Sequence, residues 1–169
     1  MIRIGILSDT HGWLDKKVWR HFESCDQIWH AGDIGSTAII EELAQFKPLK
    51  AVYGNIDDQN VRSMCPEDQR FVCGGLHVWI THIGGNPSLY HPRIRTGLAK
   101  QIPDLFVCGH SHILRVMHDP KHKPLLYLNP GAAGKHGFHH MRTLLRFEIV
   151  EGKVCHLEAI ELGVRGQLT

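Results

Sequence analysis

The chain has 169 residues, 43% of them hydrophobic and 21% charged, which excludes a disordered tract and fits a globular protein. That length carries one domain with a real core, expected to span 1–169, and is short for two. Nineteen basic against 17 acidic side chains leave a net charge of +2, too balanced for a nucleic-acid groove or a membrane surface as the main partner.

Ile2–Leu7 is an apolar run of strand length with no small-residue cleavage site behind it, so it reads as a first strand and not as a signal peptide. Leu14, Val18 and Phe22 recur at helical spacing, with Lys16, Lys17, Arg20 and Glu23 opposite, predicting a helix over Leu14–Ser24. Gln27–Ala31 reads as a second strand. Ser36 is a plausible N-cap for a helix over Thr37–Phe46, which Pro48 closes, and Leu49–Tyr53 reads as a third strand. Arg70–Cys73 and Leu76–Thr81 flank Gly74-Gly75, a two-residue hairpin signal. A helix over Pro92–Gln101 and a strand over Leu105–Cys108 follow. Beyond His112 only strands are predicted: Leu114–His118, Leu125–Asn129, Thr143–Val150 and Val154–Leu162, the last two joined by Glu151-Gly152.

Helical crossovers between the early strands imply a parallel or mixed sheet. The late hairpins predict a second, largely antiparallel sheet packed on it. No apolar run approaches the roughly 18 to 20 residues of a membrane span. Five cysteines, an odd number without a C-x-x-C pair, argue against a disulfide framework or a thiolate zinc site. A reducing compartment, and so a cytoplasmic location, is the expectation. Cys73 and Cys108 fall inside strands and read as inert core thiols.

Five strand signals end in Asp, Asn or His: Asp9-Thr10-His11, Gly32-Asp33, Gly54-Asn55, Thr81-His82 and Gly109-His110-Ser111-His112. Singly these are weak, because 14 histidines put the chance count of D-x-H at about 0.7 and of H-x-H at about 1.2. Asp9 and Asp33 alone could be turn or capping residues. Jointly they deliver oxygen and imidazole groups to the carboxyl ends of strands, where ligands bind in open α/β sheets. Two aspartates, one asparagine and four histidines suit Mn, Fe, Zn, Co or Ni. They are too many for one mononuclear centre, but divide into two sites of four if one carboxylate bridges.

In this order the motifs resemble those of the calcineurin-like metallophosphoesterases, in particular the small bacterial and archaeal phosphodiesterase branch. The family's D-x-H, G-D, G-N, lone His and G-H-x-H stand here as Asp9/His11, Gly32-Asp33, Gly54-Asn55, His82 and Gly109-His110-Ser111-His112. Asn129-Pro130-Gly131-Ala132 looks like the branch's N-P-G-S segment. The resemblance implies an α/β (α+β) fold of two packed mixed β-sheets flanked by helices, a four-layer α/β/β/α sandwich. It implies that Asp9, His11, Asp33 and His112 hold one divalent metal and Asp33, Asn55, His82 and His110 another, with Mn favoured for activity.

Two cations about 3.5–4 Å apart lower the pKa of a shared water and take charge from phosphoryl oxygens, the expected basis of a phosphohydrolase using a bridging hydroxide for in-line attack. Asn55 is also expected to orient the phosphate. The sequence departs from the monoesterase pattern at Ile56, where G-N-H members carry a histidine able to protonate the leaving oxygen, so a small phosphodiester is the expected substrate. His136 or His139, in the donor-rich segment after Gly131, could supply a substrate contact or that proton. His82 lacks the glycine that usually follows it in the family. His30, inside a strand, reads as a hydrogen-bonded support and not a ligand, and Trp13 could line the site mouth.

Two rivals stand beside the enzyme. One is a catalytically weak scaffold or binding module, as in the retromer subunit of the same family, whose metal motif is eroded whereas all seven residues stand here. The other is a histidine-rich metal buffer. A homo-oligomer is left open.

Overall fold

The computed structural model describes residues 1–167 and resolves the apolar runs into twelve strands and four α-helices. β1 (Ile2–Leu7), α1 (Lys17–Phe22), β2 (Gln27–His30), α2 (Thr37–Phe46), β3 (Leu49–Ala51) and α3 (Gln59–Met64) alternate. Then come β4 (Asp68–Cys73), β5 (Leu76–Thr81), the short β6 (Gly85–Asn86) and β7 (Leu89–Tyr90), and α4 (Pro92–Lys100). β8 (Leu105–Val107), β9 (Leu114–His118), β10 (Leu126–Pro130), β11 (Met141–Val150) and β12 (Lys153–Val164) complete the order.

One sheet has the order β12-β11-β1-β2-β3 and the other β4-β5-β8-β10-β9. Both are mixed: in the first, β1, β2 and β3 run parallel out to one edge and β11 and β12 extend it antiparallel, while the second has a parallel centre of β5, β8 and β10 with antiparallel β4 and β9 at its edges. The expectation that the late strands form their own antiparallel sheet is corrected. β11 pairs antiparallel with β1, Ile4 opposite Phe147, and so joins the first sheet, while the second is built from the middle of the chain around parallel β5, β8 and β10. Hairpin periodicity is the same whichever sheet a hairpin joins.

Strand alternation sorts the side chains into layers. Ile4 and Ile6 of β1 meet Val78 and Ile80 of β5 and Leu105 and Val107 of β8 in the core between the sheets. Leu7 and Ile28 face the other way onto Val18 and Phe22 of α1 and Ile40 and Leu43 of α2. Trp79, Phe106 and Tyr127, from β5, β8 and β10, turn outward onto Ile94 and Leu98 of α4. Burying a Phe or Leu side chain in such layers contributes about 1.5–3 kcal/mol.

Local chemistry sets the element ends. The Ser36 hydroxyl accepts the Ala38 N–H at 3.1 Å, capping α2 as expected. Gly74 and Gly75, both at positive φ, make the β4–β5 turn. α1 is shorter than Leu14–Ser24 because Asp15 is committed outside it: its carboxylate accepts the Lys17 N–H and pairs with buried Arg142. α3 lacks a periodic signal, since Val61 is its one buried residue and the Asp58 cap its one local cue. All five cysteines are free. Cys108 is buried, and burial pushes its thiol up to about 12, as an inert core thiol requires.

Candidate metal centre

The loops after β1, β2, β3, β5 and β8 bring the seven expected donors together. Donor atoms of Asp9, His11 and His112 lie within 4.8 Å of one another, as do those of Asp33, His82 and His110. Asp33 turns its two oxygens to different imidazoles, Oδ1 lying 3.1 Å from His82 Nε2 and Oδ2 3.6 Å from His11 Nε2. Asp9 Oδ1 lies 3.2 Å from His112 Nε2. Asn55 Oδ1 lies 3.1 Å from His82 Nε2. The two sheets share the work: Asp9, His11, Asp33 and Asn55 come from the first, and the other three imidazoles from the second.

Sequence carries no sign of how strained these loops are. Asp9, His11, Asp33, His110 and His112 all have φ between 48° and 68°, the left-handed region that non-glycine residues seldom occupy. Each such residue costs about 1–3 kcal/mol and persists where its surroundings hold it there, as at ligand clamps. Gly54 permits the approach of two of the loops, since a Cβ on it would stand 2.0 Å from Asp33 Oδ1.

The donor set fits divalent cations on a structural test. Asp9 Oδ1 and His11 Nε2 are buried, 3.9 Å apart, and neither makes a hydrogen bond among the described residues. A buried polar atom left in that state costs about 1–3 kcal/mol, and a hard cation satisfies carboxylate and imidazole together.

Charge states follow from the same packing. Burial pulls the His11 and His110 pKa values down, so both are inclined to the neutral, ligating form. Burial also opposes charge on His82, but the Asp33 hydrogen bond and the nearby Asp9 and Asp33 carboxylates raise it. The Asp33 carboxyl, pushed up by burial, is pulled below the usual carboxylate range by His82 and the Ile56 N–H.

Buried and half-buried hydrogen bonds hold this arrangement. The Asp57 carboxylate accepts the N–H groups of Ile34 (3.1 Å), Gly35 (2.7 Å) and Gly54 (2.7 Å), joining the Asp33 loop to the Asn55 loop. The Asn129 amide donates to Gly109 O at 3.0 Å and Ser111 Oγ at 3.1 Å, bracing the segment that carries His110 and His112. His82 Nδ1 donates to Ala31 O at 2.7 Å, leaving Nε2 free as a ligand atom.

His139 does the same for His112. Its Nε2 donates to Gly134 O at 2.9 Å, so the neutral ring offers Nδ1 as an acceptor to the Nδ1–H of His112 at 3.1 Å. Burial keeps His139 inclined to that neutral form. His112 is thereby held with Nε2 unprotonated toward Asp9. Removing such a partner typically weakens metal binding about 10- to 100-fold, which is the loss expected for His139→Ala in a calorimetric Mn²⁺ titration. Affinity equal to that of the parent protein would refute this role.

His30 supports the site and donates nothing to it directly. Its Nδ1 accepts the Gly32 N–H at 3.2 Å, so Nε2–H donates to Thr10 Oγ1 at 3.0 Å, and the Thr10 hydroxyl donates to Ile34 O at 2.9 Å. Burial pulls the His30 pKa from 6.5 down to about 3. Across that interval the unfolded chain binds the proton and the folded one does not, so acid favours unfolding. Stability from this group is present above about pH 6.5 and lost as pH falls toward 3, by up to about 1.4 kcal/mol per pH unit. In EDTA, His30→Gln is expected to flatten the fall of the urea midpoint between about pH 6.5 and 4; an unchanged slope would contradict the account.

Of the remaining expectations, His136 is exposed, its ring centroid 6.3 Å from that of His11. Lys135 Nζ and the Arg142 guanidinium lie 5.5 and 5.1 Å from the centre of the Trp13 ring. No helix among the described residues is long and apolar enough to cross a membrane.

A family model described as "Calcineurin-like phosphoesterase superfamily domain" matches residues 2–152. A curated relative from Methanothermobacter thermautotrophicus, named a probable metallophosphoesterase, is 29% identical over 140 residues, 76% of this chain and 76% of that one. A second with the same description, from Methanocaldococcus jannaschii, is 29% identical over 136 residues, 76% of this chain and 67% of that one. Among solved structures, one described as a novel archaeal phosphodiesterase superposes with a TM-score of 0.74 at 22% identity, covering 95% of this chain and 100% of that one. A Vps29 variant from Entamoeba histolytica superposes at 0.72 with 15% identity, covering 96% and 100%. These two structural likenesses are likenesses of fold.

Proposed function

Because the chain belongs to the calcineurin-like phosphoesterase superfamily, we propose that it is a metal-dependent phosphodiesterase acting on small phosphodiesters. Asp9, His11, Asp33 and His112 would hold one divalent cation, and Asp33, Asn55, His82 and His110 the other. The observation that carries this reading is the pair of donor clusters, with Asp33 presenting one oxygen to each side and Asp9 Oδ1 and His11 Nε2 orphaned. Cations held there would supply Lewis-acid chemistry, activating water and offsetting charge on the phosphoryl oxygens.

The chain's own residues bear on which ester is favoured. Ile56 gives its backbone N–H to Asp33 Oδ1 at 3.1 Å, and its side chain has no proton to deliver to a leaving oxygen. An aryl ester expels a stable phenolate and needs little help, whereas an alkyl ester expels an alkoxide and needs an acid. The Asn55 amide is free to donate to a phosphoryl oxygen while its carbonyl oxygen faces His82. His139 is committed to His112 and Gly134, so the candidate proton donor in that segment is exposed His136. A general acid must be protonated, so His136→Ala is expected to alter the alkaline limb of the pH–rate profile; an unchanged limb would remove His136 from the reaction.

The test is hydrolysis of bis(p-nitrophenyl) phosphate against phosphoserine peptide, with Mn²⁺ supplied and EDTA as control. Faster turnover of the diester, abolished by EDTA, supports the reading, and faster turnover of the peptide overturns it. No turnover of either by protein carrying two metals per chain would favour the binding-module alternative, to which the Vps29 likeness of fold belongs. Uptake well above two metals per chain would favour a metal buffer.

A further inference from the structure

Two cavities flank the second donor cluster and share Ile83 and His91 as a dividing ridge. One, of about 340 Å³, includes Asn55 and His82. Its arginines are already engaged: Arg93 pairs with Asp68 and donates to Thr81 Oγ1, and Arg62 donates to Asp57 O. The other, of about 410 Å³, reaches His110 and differs in kind.

Tyr90 and Tyr127 line this second cavity, both nearly fully buried, with their hydroxyls bound to Asp119 at 2.6 Å and Gly85 O at 2.7 Å. With those hydroxyls committed and the rings nearly fully buried, the tyrosines close the cavity without adding a free polar group, and exposed Leu89 supplies apolar surface at it. Ile83 and exposed Ile113 extend the apolar lining. Arg95 and Arg115 also line it, neither forming an ion pair or a side-chain hydrogen bond among the described residues, and no carboxylate is among the lining residues. An apolar chamber of a few hundred Å³ with a few convergent charges is the usual form of a small-molecule site. Unpaired guanidinium groups are suited to phosphate or carboxylate.

We propose that this cleft is the specificity site for one arm of the substrate, a largely apolar group that itself carries a further anionic group, gripped by Arg95 and Arg115 while the scissile phosphate lies at the donor clusters. The proposal rests on the diesterase reading. It makes the substrate asymmetric: the arm without added charge goes to the cavity whose arginines are occupied.

The probes are thymidine 5′-(p-nitrophenyl phosphate) and the same ester bearing a 3′-phosphate, which differ only in the added anion. The 3′-phosphate is expected to lower KM by at least about tenfold in the parent protein, and Arg95→Gln/Arg115→Gln is expected to bring the ratio of the two KM values to about one. Separately, calorimetry in EDTA compares thymidine 3′,5′-bisphosphate with thymidine 5′-phosphate, where the same preference and the same loss are expected. Equal affinity for both members of each pair, or a preference that survives in the double variant, overturns the proposal. If the parent turns over no diester, the diesterase reading fails, and binding in EDTA still decides whether the cleft takes an anionic arm.

Discussion

Asp33→Ala is expected to lower turnover of bis(p-nitrophenyl) phosphate by at least about 10³-fold and to leave less than half of the parent's bound metal. The reason is geometric. Asp33 is the residue whose two oxygens face different imidazoles, His82 at 3.1 Å and His11 at 3.6 Å, so one truncation removes a donor from both clusters. It also removes one of the two carboxylates that raise the pKa of His82 against burial, leaving Asp9 and the Ala31 carbonyl to oppose burial there. Asp9→Ala serves as comparison, because Asp9 Oδ1 lies nearest His112 and belongs to one cluster. Elemental analysis with steady-state kinetics reads both effects, and an Asp33→Ala protein with parental metal content would refute the bridging role.

The largest loss of stability is expected from a residue that is not among the donors. Asp57→Asn should destabilise the folded protein by about 2–4 kcal/mol, measured by urea unfolding in EDTA. In the parent, Oδ2 accepts two backbone N–H groups, from Ile34 and Gly54, and Oδ1 accepts a third from Gly35. An amide has one acceptor oxygen, so either orientation sets its NH₂ against a backbone N–H donor, two of them buried if it replaces Oδ2. The loops of Asp33 and Asn55 then lose their common anchor, and Mn²⁺ affinity should fall along with stability. A midpoint within about 0.5 kcal/mol of the parent's would show that the carboxylate is replaceable.

The contrast between Asp33 and Asp57 shows what sequence discloses. Asp33, His11, His82 and their companions are legible because donor chemistry needs particular side chains and strand ends are visible as breaks in apolar runs. Asp57 stands two residues beyond Asn55 and yet carries no separate signal, since a carboxylate that accepts backbone N–H groups from another loop looks like any turn aspartate. Asn129 is marked by the segment it opens, but its brace on the His110 loop is not, and the same holds for His139 as the partner of His112. The parallel strands with their helices were legible by period, but the placement of β11 was not, because pairing between β1 and β11 spans most of the chain. Five donor-bearing residues in the left-handed region were also hidden, for strain of that kind is imposed by loops from two sheets at once.

That long-range pairing of β1 has a consequence for the order in which the protein is made. Emerging from the ribosome, β1 meets β2 early, Ile4 beside Gln27, but its other edge stays open until Phe147 has been synthesised. By then every strand of the second sheet is complete, the last of them, β10, ending at Pro130. Open apolar edges recruit other chains, and late non-local pairing is slow to form, so this interval is when nascent chains are most exposed to aggregation. All seven donors are likewise translated before the β11–β12 hairpin arrives, and the edge that gathers them is written in full before the sheet bearing half of it can close.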